Sequence, residues 1–417
     1  MLNRHSPITT AEYDSRLFNK INQLRRFKIK PNPYTADEYV NSMDNSSKRN
    51  YYRRVLLDIR CGKRISSVVC PFTKLEKCST DKYKAPRLIQ GRHPTFNIVY
   101  GSYIKPLERG LKHRLQFGKG TYDQIAAKVH TLSKRYKYYT ELDHSTFDAH
   151  VTTEMLKLVH KFYLSCYDND NNLRKLCKRT INNFCVGRHG EKYTIKGTRM
   201  SGDVDTALGN SLINYHILKS CLSDFKIRGE VIVNGDDSVL FTHEPIPTEQ
   251  FTKRLRAYNM ESKVAHTSTS IHTISFCRTK LVYHPDGSPT MAFDPDRLRD
   301  IYGMSHRRYP PKQYERYCRL IHHTNHFINI NSPVKYQWQT LTSKTIDIKE
   351  LIIIDPKLAR IFLRNHNNRP WPSETLTPSF IEAYPNFKLF KRMQISYPAQ
   401  IQRTIIINHN NKELTTL

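Results

Sequence analysis

The sequence has few acidic residues, no Cys-x-x-Cys pair and no long apolar run. Its 417 residues include 37 Asp and Glu against 67 Lys and Arg, so the formal net charge is +30. This excess is large for solubility alone and favours a polyanionic partner, in the first place nucleic acid. The basic residues run throughout the chain and do not gather in one low-complexity arm, which argues against a capsid protein or a nucleoprotein.

The cysteines and the apolar segments limit the compartment. The nine cysteines are an odd number and there is no N-terminal signal pattern, which together predict reduced thiols in a cytosol-like compartment. No apolar run approaches the length that spans a bilayer, so we expect membrane attachment only through a partner or a peripheral contact. The run IHHTNH at 321–326 has metal-like residues, but we interpret it as a solvated or RNA-facing helix end.

The residue pattern predicts an α+β fold with helices on one face of a sheet. Aromatic residues make up 11% of the chain, which argues against disorder. The predicted helices are at 35–60 with a break near 45–47, after residue 143, from residue 203, at 248–258 and through most of 285–395. The predicted strands are at 138–142, 230–234, 238–242, 273–277 and 280–283, with a hairpin around 188–191 and a basic, largely extended segment at 68–106.

Two acidic runs are candidates for a metal site. Asp143 ends a predicted buried strand in ELDHSTFDAHV (141–151), and Asp236 and Asp237 lie at the turn of a predicted hairpin, VNGDDSVLF (233–241). On adjacent antiparallel strands, Asp143 and Asp236 could share a pair of metal ions. Mg²⁺ takes oxygen ligands and often only one or two protein carboxylates, so it is the expected cofactor, with Mn²⁺ as a substitute. Asn-Gly-Asp-Asp is also simply a good hairpin turn, so the assignment depends on the other motifs.

A third run, GTRMSGDVDTALGNSLIN (197–214), predicts a loop that selects a nucleotide. Ser201 and Gly202 precede a helix on which Thr206 and Asn210 follow at four-residue steps. Glycine lets the backbone approach a base pair closely, and Thr and Asn can satisfy a ribose hydroxyl. Asp148, at the start of the preceding helix, could hydrogen bond near the same ribose or complement the helix dipole. Ser201 could alternatively be only an N-cap.

Basic residues supply further candidates. Lys263, in NMESKVA (259–265), is a candidate general acid for departing pyrophosphate, because an ammonium group stabilises developing phosphate charge. An ordinary surface lysine is the alternative. The segment at 68–106, with its interleaved cations and prolines, would suit a backbone that follows phosphates, and an ordinary solvated loop is equally compatible with it.

In this order, the runs resemble the palm motifs of viral RNA-dependent RNA polymerases, particularly those of the tombusvirus-like and nodavirus-like positive-strand RNA groups. ELDHSTFDAHV resembles motif A, GTRMSGDVDTALGNSLIN motif B and VNGDDSVLF motif C, while Lys263-Val264 and Phe276-Cys277 resemble motifs D and E. PFTKLEK (71–77) and KAPRLIQGRHPTFNIVYGSYIKPLE (84–108) resemble the finger motifs. The resemblance covers about residues 35–285, and it departs from the family pattern at Arg278, where relatives often carry Gln.

The resemblance implies a right hand of fingers, palm and thumb, with an antiparallel palm sheet backed by helices and a mainly helical thumb. It implies fingers and an N-terminal extension at 1–130, palm at 131–167 and 197–284, a fingers insertion at 168–196, and thumb and C-terminal tail at 285–417. The implied roles are metal binding and catalysis by Asp143, Asp236 and, more peripherally, Asp237; ribonucleotide binding by Asp148, Ser201, Gly202, Thr206 and Asn210; triphosphate or template contact by Lys84, Arg87 and Arg92; and template contact by Lys74.

The expected activity is template-directed RNA synthesis, in which an RNA 3′-hydroxyl attacks the α-phosphate of an NTP and expels pyrophosphate. The expected partners are template and nascent RNA, NTPs, and a membrane-anchored viral or host protein that would hold the chain at replication complexes in the host cytoplasm. Two alternatives stay open. A non-catalytic RNA-binding or packaging protein would also suit the charge, and a reverse transcriptase would share the carboxylates, although the SGxxxTxxxN run disfavours it.

Overall fold

The computed structural model describes residues 5–74, 86–305, 308–338, 356–365 and 367–387. The chain divides into two compact units. Unit 1 comprises Met1–Lys74, Pro86–Lys119 and Leu132–Thr269, and unit 2 comprises Leu75–Ala85, Gly120–Thr131 and Ser270–Leu417. The predicted site residues that the structure describes all lie in unit 1. Lys84 lies outside the described residues.

The described α-helices and β-strands are interspersed along the chain. The helices are α1 (Ala36–Asn41), α2 (Ser46–Arg60), α3 (Pro94–Leu111), α4 (Tyr122–Ser133), α5 (Phe147–His150), α6 (Thr153–Cys166), α7 (Asn171–Lys178), α8 (Thr206–Asp224), α9 (Thr248–Ala257), α10 (Pro295–Asp300), α11 (Pro311–Ile328), α12 (Pro356–Asn365) and α13 (Pro378–Ala383). The strands are β1 (Val69–Thr73), β2 (Leu88–Arg92), β3 (Tyr138–His144), β4 (Asn182–Val186), β5 (Lys192–Lys196), β6 (Gly229–Asn234), β7 (Asp237–Thr242), β8 (Ser262–Ser268), β9 (Ser275–Phe276), β10 (Thr279–Tyr283) and β11 (Pro289–Phe293). The fold is therefore α+β, as predicted.

An antiparallel sheet in the order β6-β7-β3-β8 organises unit 1. In the pairing of β3 with β7, Leu142 lies opposite Ser238, and in the pairing of β3 with β8, Asp143 lies opposite Lys263. β6 and β7 form a hairpin, so the end of β3 and the β6–β7 turn share one edge of the sheet. This register is what brings the predicted carboxylates together.

Helix α8 forms part of the core of unit 1. It packs against β6, α6 and α9, and every residue from 208 to 218 is buried. Between residues 208 and 218 the helix is buried on all sides, as expected of a central helix. Polar side chains inside such a helix must find protein partners, because an unpaired buried polar group is costly. The α8 residues Asn210, Ser211 and Asn214 therefore have defined contacts.

The segment at 68–106 differs from its prediction as a largely extended stretch. β1 and β2 pair as antiparallel strands within a sheet of order β2-β1-β4-β5, and α3 then begins at Pro94 and runs for 18 residues. Proline is favoured in the first turn of a helix, where no backbone N–H is needed, so Pro94 starts α3 and does not prevent it. The predicted helices at 35–60 and 248–258, and the hairpins around 188–191 and 235–237, are confirmed.

Unit 2 is built around a small sheet and several helices. The sheet has the order β11-β10-β9, and its core contains Trp338, Trp371 and Phe380. The prediction of mainly helical structure beyond 285 is wrong for β11, which pairs with β10. Within the ranges that the structure describes, no helix combines the length and the apolar character needed to cross a membrane.

The run at 321–326 is not a solvated helix end. It lies inside α11, where His322 is 1% exposed and Asn325 is 2% exposed. Burial lowers the pKa of His322 to about 4, so the ring is neutral near neutral pH. The prediction of an RNA-facing segment is therefore wrong for these two side chains.

Candidate active site

Three carboxylates lie at one edge of the β6-β7-β3-β8 sheet. Asp143 is near the end of β3, and Asp236 and Asp237 are at the β6–β7 turn. The β3–β7 register, continued by one step, sets Asp143 opposite Asp237, and adjacent strands are about 5 Å apart. All three residues are exposed. The prediction that Asp143 and the Asp236-Asp237 turn lie together is confirmed.

The donor set at this edge fits Mg²⁺ as an incomplete shell. Mg²⁺ commonly takes one or two protein carboxylates and completes six oxygen ligands with water and phosphate. Among the residues that the structure describes, no group of three or more His, Cys, Asp or Glu side chains is arranged to hold an ion. The edge is thus not a closed cage, and metal binding by Asp143, Asp236 and Asp237 stays a prediction.

Two buried side chains of helix α8 hydrogen bond to the backbone of the β6–β7 turn. The Gly235 N–H donates to Ser211 Oγ over 2.8 Å. Asn214 Nδ2 donates to the carbonyls of Gly235 (3.1 Å) and Asp236 (3.0 Å). Because Ser211 and Asn214 are fully buried, they fix the turn while its carboxylates remain exposed.

His144 connects this turn to the neighbouring strands. Asn214 uses Nδ2 as a donor to two carbonyls, so its Oδ1 accepts the 3.0 Å hydrogen bond from His144 Nε2. His144 Nδ1 lies 2.7 Å from Ser262 Oγ on β8. Burial lowers the pKa of His144, so the ring is neutral and Nδ1 accepts from the Ser262 hydroxyl. The charges of Asp143 and Asp236 both act on this ring, which is consistent with their shared location.

Lys263 lies beside the carboxylates. Lys263 on β8 lies directly opposite Asp143 on β3. The side chains of directly opposed residues point to the same face of a sheet. Lys263 is exposed. The ammonium group of this lysine could therefore reach a ligand bound at Asp143. Its role as a general acid stays a prediction.

The Ser201-Gly202 loop packs on strand β2. Ser201 Oγ accepts from the Gln90 N–H (3.1 Å) and donates to the Leu88 carbonyl (3.2 Å), and the Gly202 N–H donates to the Gln90 carbonyl (3.1 Å). A Cβ at Gly202 would lie 2.7 Å from Gly91 Cα, so only glycine fits. The close approach predicted for Gly202 is thus made to β2. Because α8 begins only at Thr206, Ser201 is not its N-cap.

Thr206 hydrogen bonds to the backbone of the same loop. Its Oγ1 donates to the carbonyls of Met200 and Asp203, both at 2.9 Å. The hydroxyl predicted to meet a ribose is therefore engaged within the protein in this structure.

Asp148 and Asn210, each predicted to lie near a ribose, are hydrogen bonded to each other. Asn210 Nδ2 donates to Asp148 Oδ1 over 2.7 Å. Burial raises the pKa of Asp148 to about 6, while the Asn210 hydrogen bond and the charge of Arg199 act in the opposite direction. The charge of Asp236 also acts on Asp148, so this pair and the carboxylate edge belong to one neighbourhood.

Two buried ion pairs anchor the loop between residues 199 and 205. Arg92 binds Asp203 through two hydrogen bonds of 2.8 and 2.9 Å, and Arg199 binds Asp205 over 2.9 Å. The Arg92 side chain is 0% exposed and also donates to Asn183. The prediction that Arg92 contacts RNA or a triphosphate does not fit this burial. Its guanidinium instead joins β2 to the loop.

Lys74 and Arg87 lie at the end of the β1–β2 pair. The Lys74 N–H donates to the Arg87 carbonyl over 2.8 Å, which extends the ladder by one step. Arg87 is exposed and Lys74 is half-buried. Their contacts with template or triphosphate stay predictions, as does that of Lys84.

Sequence reasoning missed the residues that support the site. It assigned no role to Arg199, Asp203, Asp205, His144 or Asn214. A signal for one of them was present, because Asn214 continues the four-residue steps of Thr206 and Asn210 along α8. The charged residues of the run at 197–214 were a second signal. This run leads into the buried helix α8, and buried charges require partners.

A cavity of about 360 Å³ lies elsewhere in unit 1. Lys219, Arg228 and His243 are among its lining residues, and none of the predicted site residues lines it. The predicted chemistry thus belongs to the open sheet edge and the adjacent loop.

Comparisons with known proteins agree with the motifs. A family model described as viral RNA dependent RNA polymerase matches residues 9–351. The RNA-directed RNA polymerase of Groundnut rosette virus (strain MC1) is 31% identical over 282 residues, 62% of this chain and 33% of the relative. That of Tobacco necrosis virus (strain A) is 32% identical over 281 residues, 61% of this chain and 38% of the relative. The chain thus spans about a third of the length of these curated relatives.

Proposed function

Because the chain belongs to the viral RNA-dependent RNA polymerase family, we propose that it copies RNA from an RNA template. An RNA 3′-hydroxyl attacks the α-phosphate of an NTP, and pyrophosphate leaves. The observation that carries the proposal is the meeting of Asp143 and the Asp236-Asp237 turn at one exposed edge, beside the Asp148–Asn210 pair.

Asp143 and Asp236 would hold Mg²⁺, or Mn²⁺ in its place, with Asp237 more peripheral. Bound there, the ions would lower the pKa of the 3′-hydroxyl and stabilise charge on the leaving oxygen. The protein's own part is positioning. Ser211 and Asn214 fix the turn that carries Asp236, and Lys263 lies beside Asp143, where it could give a proton to pyrophosphate.

Asp148 and Asn210 would bind the ribose of the incoming nucleotide. A carboxylate accepts and an amide donates, so the pair can satisfy a 2′-hydroxyl, which is both donor and acceptor. Arg87, Lys74 and Lys84 would contact the triphosphate or the template. Ser201, Gly202 and Thr206 support this pocket through the loop that they hold on β2.

In the proposed right-hand arrangement, the β6-β7-β3-β8 sheet with α6 and α8 is the palm, formed by residues 131–167 and 197–284. Residues 1–130 and 168–196 form the fingers, and residues 285–417 form the thumb and tail. The net charge of +30 supports template and nascent RNA as partners. We also propose that a membrane-anchored viral or host protein holds the chain at replication complexes in the host cytoplasm.

The test is extension of a short RNA template with labelled NTPs, with and without divalent metal. We expect metal-dependent product from the unaltered chain. Asp236→Asn should lower incorporation at least about 100-fold, the scale for losing one group that stabilises transition-state charge, and should leave RNA binding intact. Asp58→Asn is the matched control, because Asp58 is an exposed carboxylate on α2 outside the site. Full activity of Asp236→Asn would refute the assignment.

The same assay separates the two alternatives. A reverse transcriptase would incorporate dNTPs in preference to NTPs. A packaging protein would bind RNA in a salt-sensitive way and form no metal-dependent product.

A further inference from the structure

Arg199 contacts both members of the Asp148–Asn210 pair. Its Nε donates to Asn210 Oδ1 over 3.1 Å, and its backbone N–H donates to the Asp148 carbonyl over 2.9 Å. The residue is 1% exposed, so it cannot itself reach a ligand in solution. Any influence on a nucleotide must act through the pair.

The guanidinium fixes which way the Asn210 amide faces. An arginine Nε can only donate, so the amide atom beside it must be the oxygen. Nδ2 then faces Asp148 and donates to Oδ1 over 2.7 Å. A reversed amide would set Nδ2 against the guanidinium and Oδ1 against the carboxylate, two repulsive contacts at once.

Arg199 is itself held in place. Its Nη1 donates to Asp205 Oδ2, which also accepts from the hydroxyls of Tyr100 and Tyr163, each at 3.2 Å. Burial works against the positive charge, but Asp205, Tyr163, Tyr100 and Asp203 together outweigh it, and the pKa of Arg199 is raised. The cation is therefore permanent in the working pH range.

A glycine in α8 makes room for the guanidinium. A Cβ at Gly209 would lie 2.2 Å from Arg199 Nη2. Glycine inside a helix is less favourable than alanine by about 1 kcal/mol, so its presence here is explained by packing and not by helix formation.

We propose that Arg199 is a positioning residue for ribonucleotide selection, because it orients the Asn210 amide and so sets the hydrogen-bonding pattern of Asp148. Asp148 Oδ1 receives the amide, and in the part of the chain that the structure describes no hydrogen bond reaches Oδ2. That oxygen is available to a ribose 2′-hydroxyl. This inference rests on the proposed RNA synthesis. It adds a residue that influences nucleotide selection without touching the substrate.

Arg199→Lys is the first test. Lysine keeps the charge for Asp205 but lacks the planar fork that reaches two acceptors at fixed angles. We expect the ratio of kcat/KM for NTP to that for dNTP to fall about tenfold, the scale of one hydrogen bond to a charged group. The loss should appear as a higher KM for NTP, with kcat for NTP and KM for dNTP little changed. Arg26→Lys is the control, because Arg26 binds Glu230 and Tyr215 in the same unit without touching the pair.

Gly209→Ala is the second test and leaves Arg199 in the sequence. The added methyl group displaces the guanidinium while alanine favours the helix, so discrimination should fall without loss of the folded state. Gly110→Ala is its control, because the added Cβ there meets only the tip of the Ile29 side chain.

Thermal unfolding of each variant is measured beside the NTP and dNTP rates. If Arg199→Lys does not fold, Gly209→Ala decides the question. Lower total activity with an unchanged NTP/dNTP ratio would reduce Arg199 to a structural role and overturn the inference. If the unaltered chain makes no RNA product at all, the proposed function fails instead, so the two failures are distinguishable.

Discussion

The carboxylate edge and the loop at 199–205 are built in opposite ways. At the edge, Asp143, Asp236 and Asp237 are exposed. The protein fixes only the backbone of the turn that carries Asp236 and Asp237, through hydrogen bonds from helix α8. In the loop, the charged side chains of both ion pairs are 0–4% exposed and find their partners inside the protein.

The proposed function accounts for this difference. Carboxylates that are to hold an external ion must keep their oxygens for it, so the protein can stabilise only the backbone that carries them. Charges that shape a pocket can be satisfied internally, and once buried they must be, because an unpaired buried charge is strongly destabilising. Substitutions at the edge should therefore change activity with little effect on stability, and substitution of the Arg92–Asp203 anchor, which does not touch the Asp148–Asn210 pair, should do the reverse.

The largest expected effect on stability is that of Arg92→Met. The change leaves Asp203 buried without its cation, which should lower the free energy of unfolding by about 3–5 kcal/mol. Chemical denaturation measures this loss. Arg254→Met is the control, because Arg254 pairs with Asp224 at the surface and such pairs contribute about 1 kcal/mol or less. Weaker RNA binding at unchanged stability would instead restore the sequence-based prediction that Arg92 contacts RNA, and would break the comparison.

A smaller effect, on activity, is expected from Asn214→Ala. The turn that carries Asp236 loses two hydrogen bonds to its carbonyls, so its carboxylates should be positioned less well. We expect nucleotide incorporation to fall roughly 10- to 100-fold, corresponding to about 1–3 kcal/mol. Ser262→Ala is the control, because it removes only the far end of the chain through His144 and leaves the turn contacts in place. Full activity of Asn214→Ala would mean that α8 does not position the turn.

The sequence predicted the exposed edge better than the buried anchors, for a physical reason. β3 and the β6–β7 hairpin follow from local apolar runs and a Gly-Asp turn, and the step from Thr206 to Asn210 follows from helix periodicity. β8 was missed because SKVAHTS has no strong apolar alternation, and its place comes from pairing with β3. Arg92 was misjudged because its partner Asp203 is 111 residues away, so the local composition around it indicates solvent or RNA.

The smallest expected effect is a pH dependence of nucleotide selection, and it tests whether the ionisation of Asp148 controls that selection. Burial raises the pKa of Asp148 from 3.8 to about 6; Asn210 and Arg199 lower it, and Asp236 and Asp203 raise it. A carboxyl group whose pKa is raised in the folded state binds its proton more tightly there. Its contribution to stability is therefore greatest in acid and decreases as the pH rises through the window between about 4 and 6.

Selection should change in the opposite direction. Below about pH 6 Asp148 is protonated, and because Oδ1 accepts from Asn210 the proton lies on Oδ2, which then no longer accepts from a 2′-hydroxyl as an ionised carboxylate does. The NTP/dNTP ratio should therefore fall, by less than about tenfold, as the pH is lowered through this value. Single-turnover rates with NTP and dNTP across this range provide the measurement. Asp148→Asn cannot titrate and should remove the midpoint near 6. A ratio that stays constant, or a midpoint that survives in Asp148→Asn, would show that the ionisation of Asp148 does not control nucleotide selection.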